Sequence, residues 1–230
     1  MSAQVAALRA ALEQRYPGSI PITQRVAPAA QTGITELDRL LPGGGFPRGK
    51  LTTWAPATGA SAVMHSACRA ALGHGERAAW IDATSLCAPT AAWDGIALLR
   101  PEDPRDALAC AEELLRSGGY AIVVVAGAET AGADRVRISR AAKDGGAVWV
   151  ELSPAGWMAA LRARSEVRPS GFRWRRDTLG EPVALESVGL RVRAAALGWS
   201  GQADFDLRLD HREGRMSLDP GLADRRGSAR

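Results

Sequence analysis

The segment best placed to do chemistry is the turn after the first predicted core strand, which reads Trp54-Ala55-Pro56-Ala57-Thr58-Gly59-Ala60-Ser61. A phosphate-binding loop of the pattern GxxxxGK[ST] needs a glycine for the turn, a lysine for the phosphates and a hydroxyl for magnesium. Gly59 and Ser61 fit this pattern, but Trp54 stands at the first glycine and Ala60 at the lysine. Losing the ammonium removes a contact worth roughly 1.5–3 kcal/mol. We therefore predict no tight nucleoside triphosphate binding and no cofactor.

A nucleotide site of this kind also needs an acidic residue at the end of an apolar strand, where it positions magnesium. The strand Ile122-Val123-Val124-Val125 runs instead into Ala126 and Gly127, and the next carboxylate is Glu129. The acidic strand end is therefore lost at Ala126. Trp54 has two interpretations: its ring fills the nucleotide pocket, or it extends the strand into the core.

Apolar runs alternate with helical patterns through the middle of the chain, which is typical of a parallel sheet covered by helices on both faces. After about residue 159 the pattern changes to half-exposed strands, which predict an antiparallel addition at one edge. The predicted strands are Leu51–Trp54, Ala78–Ala83, Ala121–Val125, Ala147–Leu152, Gly171–Arg176, Val183–Arg193 and Ala203–Leu209, and the predicted helices are Ala62–Leu72, Arg105–Arg116 and Arg135–Ala142. The fold class is α/β.

Three regions follow from this pattern. Residues 1–31 are predicted to form an amphipathic helix at 3–16 and an extended arm, which docks on a partner or packs on its own domain. Residues 32–209 form the core, and the polar residues 210–230 are predicted to be disordered.

Composition restricts the class of protein further. The 230 residues are 46% apolar, which suits one globular domain, and no apolar run approaches the roughly 20 residues of a membrane span. The N-terminus resembles no secretory signal, so we expect a cytoplasmic protein. The three cysteines have no metal-ligand spacing, and the three histidines have no catalytic partner at usable spacing, so we predict no metal site and no catalytic residue.

One segment combines basic and aromatic residues. Six arginines surround Phe172 and Trp174, against the single acid Glu166; they are Arg162, Arg164, Arg168, Arg173, Arg175 and Arg176. Three interpretations remain: a solvated outer face of a helix and a strand with both aromatic rings in the core, a contact with a protein partner, or a weak contact with single-stranded DNA.

Several segments together resemble the core of RecA-type recombinases. Thr32-Gly33 through Leu40, followed by Gly44-Gly45-Phe46-Pro47-Arg48-Gly49-Lys50, resembles the start of that core. Ala79-Trp80-Ile81-Asp82-Ala83 resembles its second strand, and the stretch from Asp106 to Gly118 resembles the helix before its acidic strand. Within this group the chain is similar to the ImuA family of small RecA-like proteins. The resemblance implies a RecA-like core over residues 32–209.

The chain departs from recombinases where they do chemistry. Thr84 and Ser85 stand where the resemblance places a catalytic carboxylate, and the loops that bind DNA are shortened to residues 126–134 and 153–158. The resemblance therefore implies a non-catalytic accessory protein in SOS-induced, error-prone translesion synthesis. Its implied partners are ImuB, an inactive Y-family polymerase homologue, and RecA, with an error-prone C-family DNA polymerase reached through ImuB. Since the chain lacks the ATP site that strengthens a junction between RecA-like subunits, we also expect it to join one side of such a junction and limit RecA filament growth.

Two other functions stay open. One is a weak, unconventional ATPase that uses Ser61, Asp82 or Glu129. The other is a cell-division inhibitor of the SulA kind, which resembles RecA in fold and has no nucleotide chemistry.

Overall fold

A computed structural model of the chain describes residues 29–87, 91–154 and 158–208. The predicted N-terminal helix, nearly all of the predicted arm and the predicted disordered tail lie outside these residues. In chain order, the elements are β1 (Ala29–Ala30), α1 (Thr35–Leu40), β2 (Phe46–Pro47), β3 (Leu51–Trp54), α2 (Ala60–Gly73), β4 (Ala78–Asp82), a 3₁₀ turn (Ala91–Trp93), β5 (Ile96–Leu99), α3 (Pro104–Arg116), β6 (Ile122–Ala126), α4 (Gly132–Gly145), β7 (Val148–Leu152), β8 (Leu161–Arg176), β9 (Pro182–Ala196) and β10 (Trp199–Arg208).

The main sheet of the described chain has eight strands in the order β10-β9-β8-β3-β7-β6-β4-β5. The strands from β3 to β5 in this order pair in parallel, and β8 also runs parallel to β3. The apolar runs of β3, β4, β6 and β7 are buried on both faces, as a parallel sheet requires. This confirms the predicted fold class: an α/β, RecA-like core with a mostly parallel sheet flanked by helices and antiparallel C-terminal edge strands.

Each face of the sheet has its own core. On one face, buried residues of α2 pack with Trp54, Trp80 and the inward residues of β8, β9 and β10. On the other face, α3 and α4 pack against β4, β6 and β7 around Trp149. Among the described residues, α3 and α4 cover only the parallel strands, so no described helix lies on the second face of β8–β10, where Arg162, Arg164 and Arg193 are exposed.

The three C-terminal strands are antiparallel, as predicted, but β8 is far longer than the predicted strand. It runs from Leu161 to Arg176 as one strand, so the interpretation of this stretch as a helix followed by a strand is wrong. A register shift between Val167 and Phe172 accommodates Pro169 and Gly171, because a bulge tolerates a residue that cannot donate to the ladder.

Phe172 and Trp174 were expected in the core under one interpretation, and that expectation is wrong. Their side chains are 42% and 45% exposed. Both rings belong to a part of β8 that extends past its neighbour β3, which pairs with β8 only up to Ala163. The size and hydrophobicity of a side chain were therefore not sufficient to predict that it is buried in the core.

No helix within residues 29–87, 91–154 and 158–208 has both the length and the apolar character needed to cross a bilayer.

Candidate functional site

Trp54 ends β3 and is fully buried. Its indole N–H donates a hydrogen bond to Oγ of Ser165 on β8 at 3.2 Å, and its ring meets the ring of Phe46 edge-on with centroids 6.2 Å apart. It belongs to the same core cluster as the buried face of α2. The side chain that replaces the first glycine of a phosphate loop thus extends the strand into the core.

The turn between β3 and α2 is packed against the antiparallel strands. Gly59 has a left-handed φ of 87°, and a Cβ added there would lie 2.7 Å from Cδ1 of Leu190 on β9. The Ser165 hydroxyl donates a hydrogen bond to the carbonyl oxygen of Thr58 at 2.8 Å. Leu190 thus occupies the space beside the one glycine that the turn shares with a phosphate loop.

The two remaining positions of the turn offer little to a phosphate. Ala60, at the position of the lysine, is 3% exposed and packs in the core. Ser61, at the position of the magnesium-binding hydroxyl, is exposed on the first turn of α2. The turn therefore has a hydroxyl in place, but an alanine methyl where a cation would be needed.

Asp82 at the end of β4 is a buried carboxylate that holds its own loop. It accepts hydrogen bonds from the backbone N–H of Thr84 at 3.1 Å, from the Thr84 hydroxyl at 2.6 Å and from the backbone N–H of Cys87 at 2.8 Å. Burial raises the pKa of Asp82, but these hydrogen bonds outweigh burial and hold the pKa below its ordinary value. The carboxylate is ionised and used to fix the loop after β4.

A second buried carboxylate, Glu151 on β7, was not found by sequence reasoning. It accepts hydrogen bonds from the Thr130 hydroxyl at 2.5 Å and from Nη2 of Arg135 at 3.2 Å. Arg135 is 2% exposed, and its Nη2 also donates to the carbonyl oxygen of Thr130 at 2.8 Å. Burial raises the pKa of Glu151, and the contacts with Thr130 and Arg135 oppose that rise only in part.

The strand end predicted to have lost its acid lies beside these carboxylates. Ala126 pairs with Asp82 on β4 and with Leu152 on β7. The next acid, Glu129, is exposed and accepts a hydrogen bond from the Ser153 hydroxyl at 2.9 Å. Two of the residues considered for an unconventional ATPase therefore make hydrogen bonds within the protein. Asp82 binds the loop after β4, and Glu129 binds Ser153 in the loop after β7.

The arginines of β8 divide between paired and unpaired side chains. Arg168 forms an ion pair with Asp206 on β10, and Arg173 lies 4.0 Å from the same carboxylate. Arg176 donates to the carbonyl oxygen of Gly180 and closes the turn after β8. Within the part of the chain that the structure describes, Arg162, Arg164 and Arg175 have no hydrogen bond or ion pair. Their guanidinium groups are solvated.

Two further arginines, Arg191 and Arg193, lie on the same open face, but they belong to β9 and so stood outside the basic segment recognised in the sequence. Arg191 makes a bidentate pair with Asp204, with both N–O distances 2.9 Å, and Arg193 lies 3.3 Å from Glu166. Arg193 also stands directly opposite Arg164 in the ladder. The open face of β8–β10 therefore carries arginines and carboxylates side by side, and it is not a uniformly basic surface.

The described histidine and cysteine side chains have structural surroundings. Nε2 of His65 is 2.7 Å from the carbonyl oxygen of Ala92, and the ring packs edge-on against Trp93. Burial raises the pKa of the Cys68 thiol to about 12. No group of three or more histidine, cysteine or acidic residues in residues 29–87, 91–154 and 158–208 could hold a metal ion.

Neither protein-family models nor curated protein sequences include a match to this chain.

The packing of the turn against β9 predicts coupling between Gly59 and Leu190. Gly59→Ala introduces a methyl group against Leu190 and a side chain at positive φ, so we expect a loss of about 2–4 kcal/mol in the free energy of unfolding. In a Leu190→Ala background the clash disappears and the cost of Gly59→Ala falls to about 1–2 kcal/mol, the backbone contribution. Urea denaturation followed by tryptophan fluorescence measures both. Equal costs in the two backgrounds would show that Leu190 does not press on the turn.

The Glu151–Arg135 pair predicts a pH-dependent defect. Arg135→Met leaves a buried carboxylate without its cation and should cost about 3–5 kcal/mol at pH 7.5. The pKa of Glu151, already raised above its ordinary 4.5, then rises further, so the folded variant takes up a proton more readily than the unfolded chain. Its deficit relative to the wild type should shrink as the pH falls from 7.5 to 5.

The matched control is Arg140→Met on the same helix, where the side chain is 85% exposed. It should leave the free energy of unfolding nearly unchanged at both pH values. A deficit for Arg135→Met that stays constant with pH would mean that Glu151 is not the group left unpaired.

Proposed function

We propose that this protein is a non-catalytic, RecA-like accessory factor of SOS-induced, error-prone translesion synthesis. It acts in the cytoplasm by binding ImuB and RecA, and through ImuB it reaches an error-prone C-family DNA polymerase. The proposal combines the family resemblance of the sequence with the RecA-like order of the strands.

The observation that carries the proposal is the packing of Leu190 and Ser165 against the turn at residues 55–61. A RecA-like core that hydrolysed a triphosphate would need open space and a cation at this turn. Here the space beside Gly59 holds a leucine, and the position of the lysine is a buried alanine. This arrangement supports a protein that kept a RecA-like surface without nucleotide chemistry.

Such a protomer has a simple way to limit a RecA filament. In RecA-like assemblies the nucleotide lies at the junction between subunits and strengthens it. A subunit without the nucleotide joins a filament end through one face and offers no complete site for the next subunit. Growth therefore stops at the point where it binds.

The direct test mixes purified protein with RecA, with ImuB and with the cell-division protein FtsZ, and measures each affinity. We expect binding to RecA and ImuB at micromolar concentration or below, together with shorter RecA filaments on single-stranded DNA. Retention of neither RecA nor ImuB would reject the proposal, and binding to FtsZ in their place would favour the SulA-like alternative.

Nucleotide binding is tested separately. A ligand at 100 times its Kd stabilises a protein by about 2.7 kcal/mol, so even modest affinity raises Tm. We expect no shift in Tm with millimolar ATP and magnesium for the wild type. We expect none for Ala60→Lys either, because Leu190 still occupies the space beside Gly59, although the buried ammonium should lower the starting Tm. A saturable rise in Tm of the wild type would favour the ATPase alternative.

A further inference from the structure

Three arginines lie together on the open face of β8–β10. We refer to Arg162, Arg164 and Arg193 as the arginine patch. Arg164 pairs directly with Arg193 across the ladder, and Arg162 lies two residues before Arg164 on β8. Directly opposed residues have Cβ atoms about 5 Å apart, and residues two positions apart on a strand are separated by about 7 Å. All three side chains are exposed, so three guanidinium groups share one small area of the sheet.

The residues that share the rungs of the arginine patch are uncharged. Arg162 pairs with Ala195 on β9, and Ala195 pairs with Ser200 on β10. In the adjoining rung, Arg193 pairs with Gln202 on β10. These two rungs therefore carry three cations and no carboxylate on the open face. Because like charges directly opposite each other destabilise a sheet, an anion bound between the opposed arginines would relieve a repulsion that the described residues leave in place.

The nearest carboxylates compete little for the arginine patch. Asp204, one rung further along, makes a bidentate pair with Arg191. Glu166 lies 3.3 Å from Arg193, but the two side chains are 50% and 44% exposed, and an exposed ion pair contributes little. Towards the centre of the sheet, the buried Glu151 is already paired with another arginine. The patch therefore offers two unpaired cations and a third that is weakly held.

The uncharged neighbours of the patch are suited to phosphate. In protein–DNA complexes, phosphate oxygens are contacted by arginine together with serine and glutamine side chains. Ser200 is exposed, and its hydroxyl is a donor on this face. The side-chain oxygen of Gln202 accepts a hydrogen bond from Nε of Arg193 at 3.1 Å, which leaves both amide N–H groups to donate to an anion.

The same face lacks what an acidic protein would need for a stable contact. Protein interfaces are centred on buried aromatic or large apolar side chains. The aromatic residues described in β8–β10 belong to the opposite face. They pack with the α2 core or pair with its residues, and they are Phe172, Trp174, Trp199 and Phe205. The patch is therefore suited to a ligand that is recognised by charge and hydrogen bonds alone.

The lack of rings on the described part of this face also separates two forms of nucleic acid. Proteins that bind single strands combine cations with aromatic side chains on which the unpaired bases stack. In a duplex the bases already stack on one another, and the phosphates face outward, so arginines and hydrogen-bond donors are sufficient for binding. A contact made only with phosphates carries no sequence information.

We propose that the arginine patch binds the phosphate backbone of double-stranded DNA without sequence preference. One phosphate lies between Arg164 and Arg193, and another is contacted by Arg162. This inference goes beyond the proposed function, which assigns to this protein contacts with other proteins, and it does not depend on either of those partners.

The test is a titration of a fluorescently labelled duplex with the full-length protein, followed by anisotropy at several salt concentrations. We expect a Kd in the micromolar range at low salt. Neutralisation of three phosphates gives a plot of log K against log salt with a slope of about −2.7, so the affinity should fall about 40-fold between about 50 and 200 mM salt.

Two variants change the arginine patch in opposite directions. Arg162→Gln with Arg164→Gln removes two cations, and we expect binding at low salt to weaken by more than about 10-fold and the slope to approach about −0.9. Glu166→Gln removes the carboxylate beside Arg193 and should tighten binding by about 3-fold. Because a damaged fold weakens binding, it cannot imitate this gain.

The matched control is Arg100→Gln with Arg105→Gln, which removes the same charge from exposed positions near β5, at the opposite edge of the sheet. It should keep the affinity within about 2-fold of the wild type and leave the salt slope unchanged. Surface substitutions of this kind should leave Tm within error of the wild type for all variants.

Four results would overturn the inference. The first is no binding of the duplex at low salt, and the second is an equal loss in the patch and control variants, which would show that only net charge matters. The third is tighter binding of a single strand of the same length and sequence. The fourth is displacement of the duplex by a polyglutamate peptide at equal charge concentration, which would identify an acidic protein as the ligand. Because the titration contains neither ImuB nor RecA, each of these results leaves the proposed function standing.

Discussion

The short pairing between β3 and β8 is the contact on which the C-terminal half of the structure depends. Only three rungs join these strands, Thr52 with Leu161, Thr53 with Arg162 and Trp54 with Ala163. Ser165, just past the last rung, accepts a hydrogen bond from Trp54 and donates one to Thr58. One serine hydroxyl thus fixes both the end of β3 and the turn that follows it. The same contacts therefore attach the antiparallel strands to β3 and close the turn. Opening the turn for a phosphate would break the hydrogen bonds of Ser165 and weaken the attachment of β8.

The buried polar groups at the carboxyl end of the sheet follow the same logic. In a catalytic α/β site, carboxylates at strand ends face the ligand, since ligands bind in the crevice outside those ends. Here Asp82 faces its own backbone, and Glu151 faces Arg135 and Thr130. Removing one partner of such a pair is costly because the other charge stays buried. Both carboxylates hold a loop in place: Asp82 the loop after β4, and Glu151 the loop after β6 through Thr130.

The sequence was informative wherever one local pattern decides the structure. Apolar runs such as Ile122–Ala126 marked buried parallel strands, because neither face of such a strand can tolerate regular polar residues. It failed where distant contacts decide. Ile96–Leu99 was missed because an edge strand of four residues carries little pattern. Glu151 was overlooked because its partner, Arg135, comes from a helix, and no local signal links the two. The full length of β8 was not predicted because Pro169 argues against a continuous strand. The bulge that accommodates this proline depends on pairing with β9, which the local sequence does not show.

The proposed function also implies a different way of controlling a RecA-like protein. A recombinase can switch its subunit contacts by binding and hydrolysing a triphosphate, whereas in the proposed role the turn packed by Leu190 provides no such switch. Under the proposed function its contacts are therefore set by mass action, through the amounts of this protein and its partners. Induction by damage then supplies the control that hydrolysis no longer provides.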